Sequence, residues 1–269
     1  MIDDNPLTAL PPIEVPLKEA PLVRVIAQVR FPTILSIGES SFVASFQEKI
    51  RLQYPTLHSE QMQSWVIGPQ GIEPATPSIV WRFIDKSGNW RVSLASNFVV
   101  LETTDYTSRK NFLERLKEIL IATDCHIKPQ LTERLGLRYI ARLVGQDVDN
   151  LTDLVRPEVS GVLSSGMARY AQQAISDSLF TLPDERSQIH TRWGRLPPNT
   201  TTDTGAIEPI AEPSWILDLD MFMPVTESSA FDVESIMIDA NRFAERLYTF
   251  FRWSVTDNFL RRFGGEISA

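Results

Sequence analysis

The stretch LVRVIAQVRF, residues 22–31, alternates with a period of two. Val23, Val25, Ala27, Val29 and Phe31 fall on one side, and Arg24, Ile26, Gln28 and Arg30 on the other. That pattern marks a half-buried strand, which Pro32 and Gly38 then end. Beyond it Ser40 stands where an N-cap is expected, ahead of Phe42, Val43, Phe46 and Ile50 at helical spacing, and Pro55 closes the helix. Residues 79–84 and 90–101 read as two β-rich runs joined by Asp85-Lys86-Ser87-Gly88-Asn89, a hairpin turn in which Gly88 supplies positive φ. Thr107 or Ser108 then caps a second amphipathic helix carrying Phe112, Leu113, Leu116, Ile119 and Leu120. A last alternating run places Leu135, Leu137, Tyr139, Ala141 and Leu143 on one face. The order β-α-β-β-α-β over residues 22–144 is that of a ferredoxin-like half, an antiparallel sheet with its helices on one face.

The remainder predicts a β-β-β-α half. A short helix broken at Pro157 leads to strands over 171–180 and 188–195, and a cleanly alternating strand follows over 215–223. Ser228 or Ser229 should cap a long helix with Val233, Ile236, Met237, Ala240, Phe243, Ala244, Leu247 and Phe251 on its apolar face. Thr256 should cap a final helix that stops at Gly264-Gly265. The fold class expected is therefore α+β, in three parts: an extended Pro-rich arm (1–21), a ferredoxin-like subdomain (22–144) and a second α+β subdomain with a long C-terminal helix (145–269). Prolines 6, 11, 12, 16 and 21 make the arm extended, flexible and polyproline-II-like. Residues 68–78 read as an irregular loop. Residues 196–214, with four prolines and a Thr-rich run, read as a disordered one.

The 269 residues carry 26 Lys plus Arg against 34 Asp plus Glu, a formal charge of -8. This balance disfavours whole-surface attraction to nucleic acid or anionic lipid, though a local basic patch stays open. No apolar run approaches the roughly 20 residues of a membrane span, and residues 1–5 lack the basic and apolar regions of a secretory signal. With a single cysteine, Cys125, there is no intrachain disulfide framework, which suits a cytoplasmic protein.

One charge arrangement stands out. In the expected sheet the first and fourth strands are antiparallel neighbours, so Arg24, Gln28 and Arg30 share a face with Arg138 and Arg142, with Arg82 and Arg91 near by. Like charges set opposite one another across a sheet are destabilising. Their compensation is either an external anion, held by the bidentate fork of arginine, or the internal carboxylates Asp218 and Asp220 on one face of strand 215–223.

Catalytic motifs are lacking. His58, His126 and His190 form no ligand-spaced pair, and no HExxH, CxxC, GxSxG, GxGxxG or Walker-type loop occurs. Cys125 reads as a small buried apolar residue and is no partner for the adjacent His126. The GVLSSG run at 161–166 reads as a turn. Asp218 and Asp220 have the same-face spacing of a metal pair, but the third acid such a site needs is not beside them. Trp81, Phe83 and Trp90 read as core residues and not as an RNA-stacking platform. His190-Thr191-Arg192-Trp193 is a further mixed cluster, with Trp193 expected against the C-terminal helix.

PLVRVIAQVRFP (21–32), RLGLRYIARL (134–143) and the closing helix and tail over 231–263 together resemble a sporadically distributed family of uncharacterised bacterial proteins of about this size. The matching pieces are strands and helices, so the resemblance implies no catalytic residue. Its patchy distribution implies an accessory role, with defence, antitoxin and immunity among the candidates. The function expected is that of a non-enzymatic interaction or regulatory component whose sheet face or arm contacts a protein partner. No cofactor and no membrane are implied, and a homodimer is compatible with the sequence. The alternatives are nucleic-acid or nucleotide binding through the arginine face, and a metal-dependent phosphodiester enzyme using Asp218 and Asp220.

Overall fold

The computed structural model describes residues 5–62, 65–68, 71–74, 78–224 and 229–266. Along the chain come β1 (Leu22–Arg30), α1 (Ser40–Ile50), β2 (Thr56–Met62), β3 (Trp65–Gly68), β4 (Gly71–Pro74), β5 (Ser78–Ile84), β6 (Trp90–Ala95), β7 (Phe98–Thr103), α2 (Arg109–His126), β8 (Leu131–Thr132) and β9 (Arg134–Val144). There follow α3 (Gln146–Asp149), α4 (Leu151–Leu154), α5 (Pro157–Ser160), β10 (Ala174–Thr181), β11 (Gln188–Leu196), β12 (Ser214–Phe222), β13 (Ser229–Ala230), α6 (Val233–Ser254) and α7 (Asp257–Arg262). The protein is α+β, with a large antiparallel sheet and helices. Among the described residues no helix is long and apolar enough to cross a membrane.

The chain forms two compact units. One holds residues 26–136 and 225–240, and its strands run in the order β9-β1-β7-β6-β5-β2. The expected hairpin turn is there, with Gly88 at φ +80 and Asp85 accepting from the Trp90 and Ser87 groups. Two features exceed the four strands expected. The run 90–101 folds back on itself, β6 pairing with β7 from Trp90↔Thr103 to Ala95↔Phe98. Ser96-Asn97 form the turn, residues that favour it by bonding their own backbone. Thr56–Met62 adds β2 against β5, a polar strand with no apolar alternation to announce it. Residues 68–78 also depart from a plain loop, since β3 and β4 pair from Trp65↔Pro74 to Gly68↔Gly71. Pro69 and Pro77 of that stretch, and the expected cap Ser228, lie outside the described residues.

The capping expectations divide. Ser108 accepts from the Asn111 N–H and caps α2. Glu39, not Ser40, precedes α1 and provides no side-chain bond. Ser229 belongs to β13, and the Ser235 N–H finds the carboxylate of Asp232 instead, 2.8 Å away. An Asp cap also suits the positive end of a long helix. The core of this unit gathers Phe31, Phe46, Phe83, Leu94, Leu101 and Phe112, each fully buried. Burial of one such side chain stabilises by about 1.5–3 kcal/mol.

The other unit holds residues up to Val25, 137–224 and 241 onward, with strand order β10-β11-β12-β9-β1. Strand β12 is buried nearly throughout. Trp193 of β11 packs on Phe250 of α6, with ring centroids 6.3 Å apart, as expected of it. Thr256 caps α7 through the Phe259 N–H, and its hydroxyl also donates to the Asp153 and Leu154 carbonyls.

Two segments read as flexible are held. The arm is bound to α6 and to the end of α7. Arg246 donates to the Pro6 and Ala9 carbonyls, both at 2.8 Å, and the Val15 N–H donates to Tyr248 Oη at 2.7 Å. The Glu19 N–H donates to the Phe263 carbonyl, and side chains on Gly264 and Gly265 would collide with Lys18, Val15 and Leu17. Residues 197–213 are likewise ordered from within. Thr201 Oγ1 donates to the Ile207 carbonyl at 2.6 Å, the Gly205 N–H donates to the Asp203 carboxylate at 2.9 Å, and Asn199 N–H bonds the Ile210 carbonyl. Composition alone reads such a segment as disordered because its bonds are made by Thr, Asp and backbone, with apolar burial confined to the short Ala206-Ile207 step.

Candidate functional site

Strands β1 and β9 are the antiparallel neighbours the arginine face requires: the Arg142 N–H bonds the Pro21 carbonyl at one end and the Glu133 N–H the Arg30 carbonyl at the other. The five polar residues assigned to that face then part company. Arg24, Arg138 and Arg142 belong to the unit containing β12, Gln28 and Arg30 to the other. Gln28 accepts from Arg134 at 3.0 Å, a further guanidinium of β9. Arg30 is half-buried, with no bond made by its Nε.

Around Arg24, Arg138 and Arg142 the compensation is internal. Arg138 grips Asp218 with two bonds, Nε to Oδ1 at 2.8 Å and Nη2 to Oδ2 at 2.7 Å. Its third nitrogen donates to Asp203 at 2.7 Å. Arg142 donates to the Glu208 carbonyl at 2.7 Å. Arg24 donates to the Gly205 carbonyl at 3.2 Å and lies 3.9 Å from the Glu208 carboxylate. The segment 203–208 thus supplies an oxygen to each of the three arginines.

The charges continue across the sheet. In register, Asp177 of β10 faces Arg192 of β11, and Arg192 faces Asp218 of β12. Arg192 donates to Asp177 at 2.9 Å and lies 3.8 Å from Asp218. His190 Nε2 lies 2.5 Å from the other Asp177 oxygen. The alternation Asp177–Arg192–Asp218–Arg138–Asp203 therefore spans β10, β11, β12, β9 and the loop. Burial works against the Arg138 charge, but Asp218 and then Asp203 outweigh it, and the guanidinium is held above its ordinary value. Burial would likewise raise Asp203, but the Arg138 bond keeps it below the ordinary 3.8. His190 and Arg192 lower Asp177.

These depressed carboxylates fix the sign of a pH response. Their contribution is complete above the unfolded value near 3.9 and is lost as pH falls through the lower folded values. Stability is therefore expected to be flat with respect to Asp177 and Asp203 across the neutral range and to decline below about pH 4, measured by urea denaturation at a series of pH values. Asp177→Asn together with Asp203→Asn should remove part of that acid slope.

The remaining candidates resolve individually. Asp218 has both oxygens committed to Arg138, and Asp220 lies opposite His190 in the register. Among the described residues no three His, Cys, Asp or Glu side chains are grouped to hold a metal ion. Arg82 pairs with Glu60 and Arg91 with Glu102. Trp81, Phe83 and Trp90 are buried; the Trp81 indole donates to the Ile37 carbonyl, and Trp90 packs on Phe112 beneath Arg115. They offer no exposed stacking surface. Cys125 is exposed, not buried. The buried stripe of α2 runs through Leu116, Ile119, Leu120 and Thr123, and helical periodicity turns position 125 away from it.

Sequence reasoning did not find the presentation of the arm. Leu10 is 88% exposed and Ile13 91% exposed, on a backbone held by Arg246 before them and by Tyr248 at Ile13 and Val15. The prolines announce an extended arm, but the partners that pin it lie some 230 residues away in sequence. Tyr248→Phe should leave the Val15 N–H without its acceptor, costing about 1–3 kcal/mol of local stability. Hydrogen exchange at Val15 should accelerate while the β12 amides stay protected. No protein-family model matches this chain, and no curated protein matches it.

Proposed function

We propose that the protein is a non-enzymatic interaction component, of the accessory kind its resemblance implies, and that its N-terminal arm is what a protein partner grips. The observation that supports this is the near-complete exposure of Leu10 and Ile13 on an anchored backbone. Scattered exposed apolar residues are ordinary on any surface. Here two large ones stand three residues apart on a segment whose ordering cost is met within the chain, which favours binding. The nucleic-acid reading has less support, since Arg24, Arg138 and Arg142 already donate to oxygens of residues 203–208 and of Asp218. The metal-dependent reading lacks a third ligand among the described residues.

The test uses the full chain as bait in cells that encode it. One stoichiometric protein partner is expected to be retained by the wild type. Leu10→Asp with Ile13→Asp should reduce its retention by about ten-fold or more, given roughly 1.5–3 kcal/mol for each buried aliphatic side chain. Melting should be unchanged, because both positions are solvent-facing. Equal retention by the variant, or no partner at all, sinks the proposal.

A further inference from the structure

Between Ala9 and Pro16 burial repeats every three residues. Ala9 is buried and Pro12 and Val15 are half-buried, whereas Leu10, Ile13 and Pro16 are exposed. Three is the period of a polyproline-II helix, which rises about 3.1 Å per residue. On such a helix Leu10, Ile13 and Pro16 form one edge with roughly 9 Å between successive side chains, opposite the Ala9–Pro12–Val15 edge. The bonds from Arg246 and Tyr248 lock the arm in place through its backbone.

The same residues narrow the modes by which a partner can read this edge. Pro11, Pro12 and Pro16 have no N–H, so the segment cannot be added as a strand to a sheet edge, which needs a ladder of donors. Two adjacent prolines also prevent helix formation, removing the helix-in-groove mode. Leu10, Ile13 and Pro16 carry no charge and lie inside the chain, so capture by an arginine cluster and capture of a chain end do not apply to them, and there remains the groove lined by aromatic rings, which accepts a preformed polyproline-II edge at low entropic cost. Resting on the interaction reading above, we infer that the partner presents such an aromatic-lined groove and that Leu10, Ile13 and Pro16 are the side chains it receives.

The test is a photo-activatable benzophenone side chain at position 13 of the full chain, irradiated in cells that encode it, with the cross-linked partner residue mapped by mass spectrometry. The expected cross-link falls on a partner surface lined by two or more Trp or Tyr residues. Pro11→Ala with Pro12→Ala, which keeps Leu10 and Ile13 but loosens the helix, should lower the yield about four-fold or more while the β12 amides stay protected. A cross-link on a surface without aromatic residues, or a yield indifferent to the proline substitutions, overturns the groove. In that case Leu10→Asp still abolishes the cross-link if the interaction reading holds. Absence of any cross-link to a protein overturns both.

Discussion

Asp218→Ala is expected to lower the unfolding free energy by about 3–5 kcal/mol, the loss found when one partner of a buried ion pair is removed. Asp218 has a side chain only 5% exposed, Arg138 one 17% exposed and Arg192 one 18% exposed. Removing the single carboxylate leaves two enclosed guanidinium groups facing each other across β12, with Asp177 and Asp203 at the ends as their remaining acids. Arg138→Met with Asp218→Leu should cost far less than Asp218→Ala alone, because the guanidinium that Asp218→Ala strands is removed together with its carboxylate. Recovery will be incomplete, since Asp203 loses Arg138 and keeps only its bonds within the loop. Urea denaturation of Asp218→Ala, Arg138→Ala and the double variant carrying both alanines gives the coupling directly. A loss below about 1 kcal/mol for Asp218→Ala would mean that water screens these charges as it does an ordinary surface pair.

The pairing behind this prediction is half legible in the sequence. The alternation over 215–223 sets Asp218 and Asp220 on one face, and the alternation over 22–31 and 134–143 exposes a row of arginines. Strand periodicity says which side of a sheet a residue occupies, so the opposite charges could be matched. It does not say which strands are adjacent across a long connection. Hence periodicity does not set Arg192 and Asp177 on the ladder, nor does it divide Arg24, Arg138 and Arg142 from Gln28 and Arg30. Asp203 was hidden for another reason. It sits in a Pro- and Thr-rich stretch whose order depends on side-chain-to-backbone bonds over a few residues, and composition does not distinguish such a loop from a disordered one. The long helices were legible to within a turn because their apolar stripes are long. The extra strands were not: β2 is polar, and the turn between β6 and β7 takes only two residues inside an apolar run.

Gly194→Ala should cost about 3 kcal/mol or more, the upper end for a single residue forced into a sparsely populated backbone region. Gly194 lies inside β11 with φ at +145, which side-chain-bearing residues rarely adopt. A Cβ there would stand 1.9 Å from the Ala174 carbonyl oxygen and 2.9 Å from the Ile175 Cα. Both contacts are backbone of the paired strand, so no rotamer change relieves them, and β10 must move away from β11 or the peptide at 194 must turn. Either movement begins at the Ala174↔Arg195 and Ile175↔Gly194 pairs, three and two residues from the Asp177–Arg192 bridge. The substitution should therefore show first as loss of amide protection in β10, and as weakening of the Asp177 contribution to the acid transition, before β12 is affected. Placing the extra methyl group at Gly166 is the matching control, because a Cβ there meets nothing within 4 Å. If Gly194→Ala melts with the wild type while β10 keeps its protection, then β10 can slide off this contact freely, and the charge ladder does not depend on the register that the glycine allows.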